Sequence, residues 1–186
     1  LYKEILSIKH KSSLSTIYVG GGTPSILDPK QIKDLIDLFK ENYGVDYGAE
    51  ITMEVDPASF NQDDLYGFIN AGINRFSLGV QSFNDQILEK SGRRHLSEDA
   101  EKSCLWLKKV YESGLIKSWS LDLIQNLPLS GSKEWDDDLK KAITFAPPHI
   151  SIYDLNIENG TVFKKLLEIG KLKLPDDDEA FKNSES

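Results

Sequence analysis

Cysteine is almost absent from this sequence. Cys104 is the only one, which excludes an internal disulfide and any metal or cluster site built mainly from thiolates of this chain. A lone cysteine inside a helical pattern reads as a buried thiol, because free cysteine behaves as a small hydrophobe. Basic residues are outnumbered: 22 Lys and Arg stand against 30 Asp and Glu, for a net charge of -8. That balance leaves no footprint for nucleic acid or for an anionic membrane surface, both of which need clustered Lys and Arg. Long apolar runs are missing too. None approaches the roughly 18 residues of a spanning helix, and no N-terminal stretch resembles a signal peptide. The expected location is the cytoplasm, or the stroma if the protein works in a plastid.

What is present is the composition of an ordinary globular protein, 39% hydrophobic and 28% charged over 186 residues. Disorder and fibrous repeats are thereby excluded, and one domain with a sizeable core is expected. Both ends look cut. Leu1-Tyr2-Lys3-Glu4-Ile5-Leu6 starts in the middle of an amphipathic helix, with neither a methionine nor a capping residue. Beyond a domain of residues 1–174, residues 175–186 read as the start of a linker or further region. There Asp176-Asp177-Asp178-Glu179 and Asn183-Ser184-Glu185-Ser186 suggest a solvated helix start or a frayed tail.

Five stretches rich in β-branched and aromatic residues alternate with helical patterns, which predicts a parallel sheet with crossover helices. The expected strands are Thr16 to Val19, Glu50 to Val55, Arg75 to Leu78, Trp119 to Ile124 and His149 to Tyr153. Several carry apolar residues on both faces, as strands covered on both sides should. Helices are expected over Pro29 to Tyr43 with Asp28 as cap, and over Asn61 to Ala71 closed by Gly72. Others follow over Asn84 to Lys90, Ser97 to Ser113 with Ser97 capping, Lys133 to Phe145 before Pro147-Pro148, and Val162 to Ile169. The fold class is α/β, a partial (β/α) barrel, because five strands are too few to close an eight-stranded one. A doubly wound open sheet is the alternative.

In either architecture ligands bind at the carboxyl ends of the strands, and polar residues collect there. Gly20-Gly21-Gly22-Thr23-Pro24 follows the first strand, and Glu54 with Asp56-Pro57 ends the second. Gly79-Val80-Gln81-Ser82-Phe83 follows the third, Asp122 sits in the fourth, and Asp154 and Asn156 follow the fifth. A glycine run lets backbone approach a carboxylate or phosphate closely, or merely makes a tight turn. Glu54 among Ile51, Met53 and Val55 needs a partner, which is either a ligand or an ion pair with Arg75 or Arg93. The same alternatives apply to Asp122. Gln81 either bonds ligand hydroxyls or ties down its own loop. Arg93, in Gly92-Arg93-Arg94-His95, could grip a carboxylate, although by itself the segment reads as a solvated basic turn. His10 and His149 carry no signal, and Asp136-Asp137-Asp138 reads as a solvated helix face.

Together, Gly20-Gly21-Gly22-Thr23-Pro24-Ser25, Glu54-Val55-Asp56-Pro57, Gly79-Val80-Gln81-Ser82-Phe83, Gly92-Arg93-Arg94-His95, Asp122-Leu123-Ile124 with Leu127-Pro128, and Ser151-Ile152-Tyr153-Asp154-Leu155 with Gly160-Thr161-Val162-Phe163 resemble one family. It is the radical S-adenosylmethionine (SAM) family of oxygen-independent coproporphyrinogen oxidases and heme chaperones. The resemblance runs from Thr16 to about Phe163. It implies that SAM lies across the strand ends. Gly21, Gly22 and Thr23 would hold its methionyl end, and Arg93 its carboxylate. Glu54, Gln81 and Asp122 would meet polar groups of the methionine and ribose, and Asn156 would contribute backbone.

The family's CxxxCxxC motif, which would precede this stretch, is absent, so this stretch cannot hold the family's [4Fe-4S] cluster and is expected to be inert by itself. In the family a reduced cluster cleaves SAM to a 5′-deoxyadenosyl radical, chemistry that belongs to the cofactor. The Gln81 and Arg93 turns, and the Tyr153 to Phe163 stretch with Glu158, look more like the HemW-type heme chaperones than the oxidases. Heme or porphyrinogen, and a heme-accepting protein, are the partners so implied. Asn126 departs from the glycine common before Leu-Pro.

Overall fold

A computed structural model of the chain describes residues 2–7, 12–175, 178, 180, 181 and 183. Leu1, His10, Asp176, Asp177, Glu179, Ser184, Glu185 and Ser186, on which expectations were placed above, lie outside the described residues.

Five parallel strands form one sheet: β1 (Leu14–Val19), β2 (Val45–Val55), β3 (Arg75–Gln81), β4 (Ser118–Gln125) and β5 (His149–Asp154). Spatial order equals chain order. A doubly wound sheet reverses direction at a switch point, and this one does not, so the half-barrel reading holds and the open-sheet alternative falls. The helices are α1 (Tyr2–Ser7), α2 (Pro29–Tyr43), α3 (Gln62–Ala71), α4 (Asp85–Lys90), α5 (Ser97–Glu112), α6 (Ser132–Thr144) and α7 (Val162–Glu168).

Caps explain several helix starts. Asp28 accepts from Lys30 N at 2.7 Å, while Gln31 accepts from Asp28 N at 3.0 Å, a reciprocal pair that opens α2. Asn61 does the same for α3 by accepting from Asp63 N and Asp64 N. Ser97 is not a cap, contrary to expectation. Leu96 occupies that position, and the Asp99 carboxylate accepts from its N–H at 3.0 Å. Three shorter features escaped the sequence reading: β2 begins at Val45, a 3-10 turn covers Pro24–Ile26, and β3 runs on to Gln81.

The sheet is two-faced, which corrects the expectation of apolar residues on both sides. Ile17, Ile51, Met53, Val55, Phe76, Leu78, Val80, Trp119, Leu121 and Leu123 point outward into a single core. Helices α2, α3, α5 and α6 cover that face with Ile32, Ile36, Leu65, Phe68, Cys104, Leu107, Trp135 and Ala142. Each large apolar side chain so buried contributes about 1.5–3 kcal/mol. The in-register partners on the opposite face are polar. Tyr18 pairs with Thr52, Glu54 with Ser77, Ser77 with Ser120, and Asp122 with Ser151. Cys104 is buried as expected, and removal from water pushes its thiol up to about 12.

Helices α2 and α3 meet where Gly67 faces Pro29. A Cβ on Gly67 would lie 2.6 Å from the Pro29 Cβ and 2.7 Å from its Cγ, inside a stiff ring that cannot rotate away. Gly67→Ala is therefore expected to force the two helices apart at a cost of about 1–3 kcal/mol. The urea midpoint of unfolding, compared with wild type, measures it.

Candidate binding site at the strand ends

The polar face and the strand-end loops enclose a cavity of about 400 Å³, within the roughly 300–1,000 Å³ of small-molecule sites. Gly22, Thr23, Glu54, Gln81, Arg93 and Asp122 line it, so most of the residues expected from sequence converge there. Gly21 lies beside it and donates its N–H to Glu54 Oε2 at 3.0 Å. Asn156 is not brought in: it lies outside the lining, and its amide donates to Glu158 Oε1 at 3.3 Å. Asp56, Ser77, Ile124 and Tyr153 also belong to the wall, with Pro24, Val55 and Gly79 between them. Ser77 sits in register with Glu54, and Tyr153 with Ile124, two residues beyond Asp122, so strand alternation puts both on the face of the expected residues.

Glu54 is tied to neither Arg75 nor Arg93. Its Oε1 accepts from Tyr18 Oη at 2.8 Å, and its Oε2 holds the glycine loop through Gly21. Loss of hydration and the Glu54 carboxylate push the Tyr18 phenol up to about 12, so the hydroxyl stays protonated and donating. This contact needs glycine at position 20, where a Cβ would lie 2.6 Å from Tyr18 Cε1 and 2.9 Å from Glu54 Oε1. Arg75 instead approaches Glu50 at 4.0 Å.

Asp122 is half satisfied. Ser77 Oγ donates to its Oδ2 at 2.6 Å, and Ser120 Oγ lies 2.9 Å from Ser77 Oγ. Its Oδ1 is buried without a hydrogen-bond partner, an arrangement that costs about 1–3 kcal/mol unless a donor arrives. An acceptor without a donor, on a residue that lines the cavity, is one that a ligand hydroxyl or ammonium would satisfy. The positive φ of Gly21 (84°) and Gly22 (66°), with open space where their side chains would be, leaves the loop backbone accessible.

The basic turn is solvated only in part: Gly92 and Arg94 are exposed, as the segment read alone predicts, whereas Arg93 and His95 turn inward. Arg93 faces the cavity and lies 4.0 Å from Asp56. His95 is 1% exposed, with Nε2 3.0 Å from Val80 O and Nδ1 3.7 Å from Asp56 Oδ2. Burial pushes the Asp56 carboxyl up, but His95, the Ala58 N–H and Arg93 outweigh it and hold the group below its usual range.

The donor set fits SAM. Three carboxylates and one guanidinium suit a ligand that carries more positive than negative charge together with a carboxylate and hydroxyls. It does not fit an iron–sulfur cluster: Cys104 is buried among the helices, and among the described residues no group of three His, Cys, Asp or Glu could hold a metal ion. Asn126 has a φ of 61°, which explains why a glycine would serve there and why asparagine, tolerant of that region, replaces it.

The stability that Asp56 contributes is complete above its ordinary pKa of about 4 and is lost as pH falls through its lower native value. Asp56→Asn is accordingly expected to be less stable than wild type at pH 7. The gap should close in acid below about pH 4, as urea unfolding across a pH series would read.

Comparison with known proteins gives the same architecture. A heme chaperone HemW from a Synechocystis species is 40% identical over 174 residues, covering 93% of this chain and 41% of the relative. The HemW of Haemophilus influenzae is 43% identical over 165 residues, covering 89% and 41%. The solved structure of coproporphyrinogen III oxidase (HemN) from Escherichia coli, described as a radical SAM enzyme, superimposes with a TM-score of 0.82 at 27% identity, over 99% of this chain and 42% of that one. The chain thus spans about two fifths of the length of these relatives. The sequence model of the Radical SAM superfamily matches residues 1–121, and the chain belongs to that superfamily.

Proposed function

We propose that this chain is the SAM-holding part of a heme chaperone, a protein that binds heme and passes it to an acceptor. The observation that carries the SAM half is the unpartnered Oδ1 of Asp122, a residue that lines the cavity with Glu54, Gln81 and Arg93. The heme half rests on relatives named heme chaperone HemW at 40% and 43% identity.

In this reading Gly21, Gly22 and Thr23 cradle the methionyl end of SAM, and Arg93 holds its carboxylate, kept in place by Asp56. Glu54 faces the ligand while Tyr18 and Gly21 fix its rotamer. Asp122 accepts from a hydroxyl or the ammonium, oriented by Ser77. Gln81 contributes an amide from the third strand end, while Asn156, which lies outside the lining, is given no part. SAM is the source of the radical chemistry of the superfamily, and the cluster that goes with it draws its ligands from elsewhere than the described residues. The net charge of -8 argues against a nucleic-acid partner, and no described helix is long and apolar enough to cross a membrane. We assign the protein to the cytoplasm on the same reading.

A second reading, oxidative decarboxylation of coproporphyrinogen III, is favoured by the likeness to HemN at a TM-score of 0.82. Two experiments on the full-length protein separate the cases. In a calorimetric titration, Glu54→Ala and Arg93→Ala should each weaken SAM binding roughly 10- to 100-fold, as expected for losing a hydrogen bond to a charged group. Unchanged affinity in both would sink the site assignment. Transfer of bound heme without turnover of porphyrinogen supports the chaperone, whereas turnover supports the oxidase.

A further inference from the structure

We infer that Asp138 is a positioning residue: from helix α6, on the apolar side of the sheet, it fixes the backbone turn that carries Gln81 into the strand-end cavity. The inference rests on the reading of that cavity as a SAM site.

Nothing in the residue pattern points to this, because Asp136-Asp137-Asp138 reads as a solvated face. Asp136 and Asp137 conform, each facing a lysine one turn along: Lys140 at 3.9 Å and Lys133 at 3.0 Å. Asp138 does not. It is 4% exposed, and its Oδ1 accepts from Phe83 N at 2.7 Å. The buried Ser82 hydroxyl also bonds to it, and Ser82 Oγ in turn accepts from Asn84 N at 3.1 Å. At the end of the same helix the Phe145 ring stacks on Phe83 with centroids 5.8 Å apart. Helix α6 therefore grips residues 82–84 by a carboxylate and by a ring.

The turn needs gripping. Gln81 has a φ of 66°, a left-handed conformation at a residue with a side chain, which is strained and persists only where the surroundings over-determine it. The pairing of β3 with β4 slips between Gly79 and Gln81, and Ser82 N closes back on Val80 O at 2.8 Å. That geometry lays the Gln81 amide over Gly79, where an added Cβ would lie 2.8 Å from Nε2. His95 holds the near side of the turn at Val80 O, and Asp138 holds the far side at Phe83 N. Asp138 is absent from the cavity wall, so any effect on ligand must pass through Gln81.

Energetics point the same way. Burial pushes the Asp138 carboxyl above its usual range, against the bonds from Ser82 and Phe83, and the nearby Asp137 and Glu134 carboxylates add to the rise. An ionised group so placed weakens the fold at neutral pH. A carboxyl kept at a cost to stability suits a role in the site more than a role in the core.

A double-mutant cycle in the full-length protein, read as SAM affinity by calorimetry, tests this. Asp138→Ala should weaken SAM binding about 5- to 20-fold, and Asp138→Asn, which keeps the acceptor for Phe83 N, should stay within about 3-fold of wild type. In a Gln81→Ala background, Asp138→Ala should add less than about 2-fold, because the amide it places is gone. If Asp138→Ala does not fold, the same cycle run with Ser82→Ala decides, with the same expected pattern. Unchanged affinity in the variant, or an equal loss in both backgrounds, overturns the role of Asp138 while leaving the SAM site intact. Failure of the wild-type protein to bind SAM overturns the reading of the cavity and this inference with it.

Discussion

The hydrogen bond from Ser77 to Asp122, at 2.6 Å, answers the main problem of this fold, which is how a parallel sheet can carry charge at its centre. A carboxylate in an interior strand of a half-barrel is tolerated only if its lone pairs find donors. The protein supplies a donor for one oxygen and none for the other. The remaining polar groups on that face follow the same logic. Glu54 is held by Tyr18 and the glycine loop, and Asp56 by His95 and Arg93. Each charged group is anchored on one side by the chain, which leaves the cavity lined with fixed rather than mobile charge.

Division of labour between the two faces of the sheet makes this possible. The outward residues, from Ile51 through Phe76 to Trp119 and Leu121, pack with the helices into one core, so stability does not depend on what fills the interior. The inward residues are then free to be chosen for binding. Traffic between the faces is limited to loops. Asp138 reaches from a helix of the packed layer to a strand-end turn, and His95 joins two such turns from beneath.

Most of the architecture was legible because local signals agreed with the global fold. Asp28 and Asn61 cap where the pattern put them, and Gly72 and Gly114 adopt the left-handed conformation that closes α3 and α5. The strands were found short, because β2 starts in Val45-Asp46-Tyr47-Gly48, where a charge and a glycine break the β pattern. The strand-end residues were legible as a group from polar side chains following apolar runs. Their partners were not. Ser97 looks like a cap, yet Asp99 does the capping through the Leu96 N–H. Asp138 and His95 look like surface groups, and only the depth at which α6 and the turn before α5 sit against β3 makes them internal. Such long-range contacts have no periodicity to read.

The polar inner face also bears on why the barrel can stay open. In a closed eight-stranded barrel, layers of branched apolar side chains fill the interior, and burying them drives the first strand to meet the last. Here the interior presents Ser77, Ser120, Asp122 and Ser151, which gain nothing from exclusion of water. The sheet is under no hydrophobic compulsion to complete its circle.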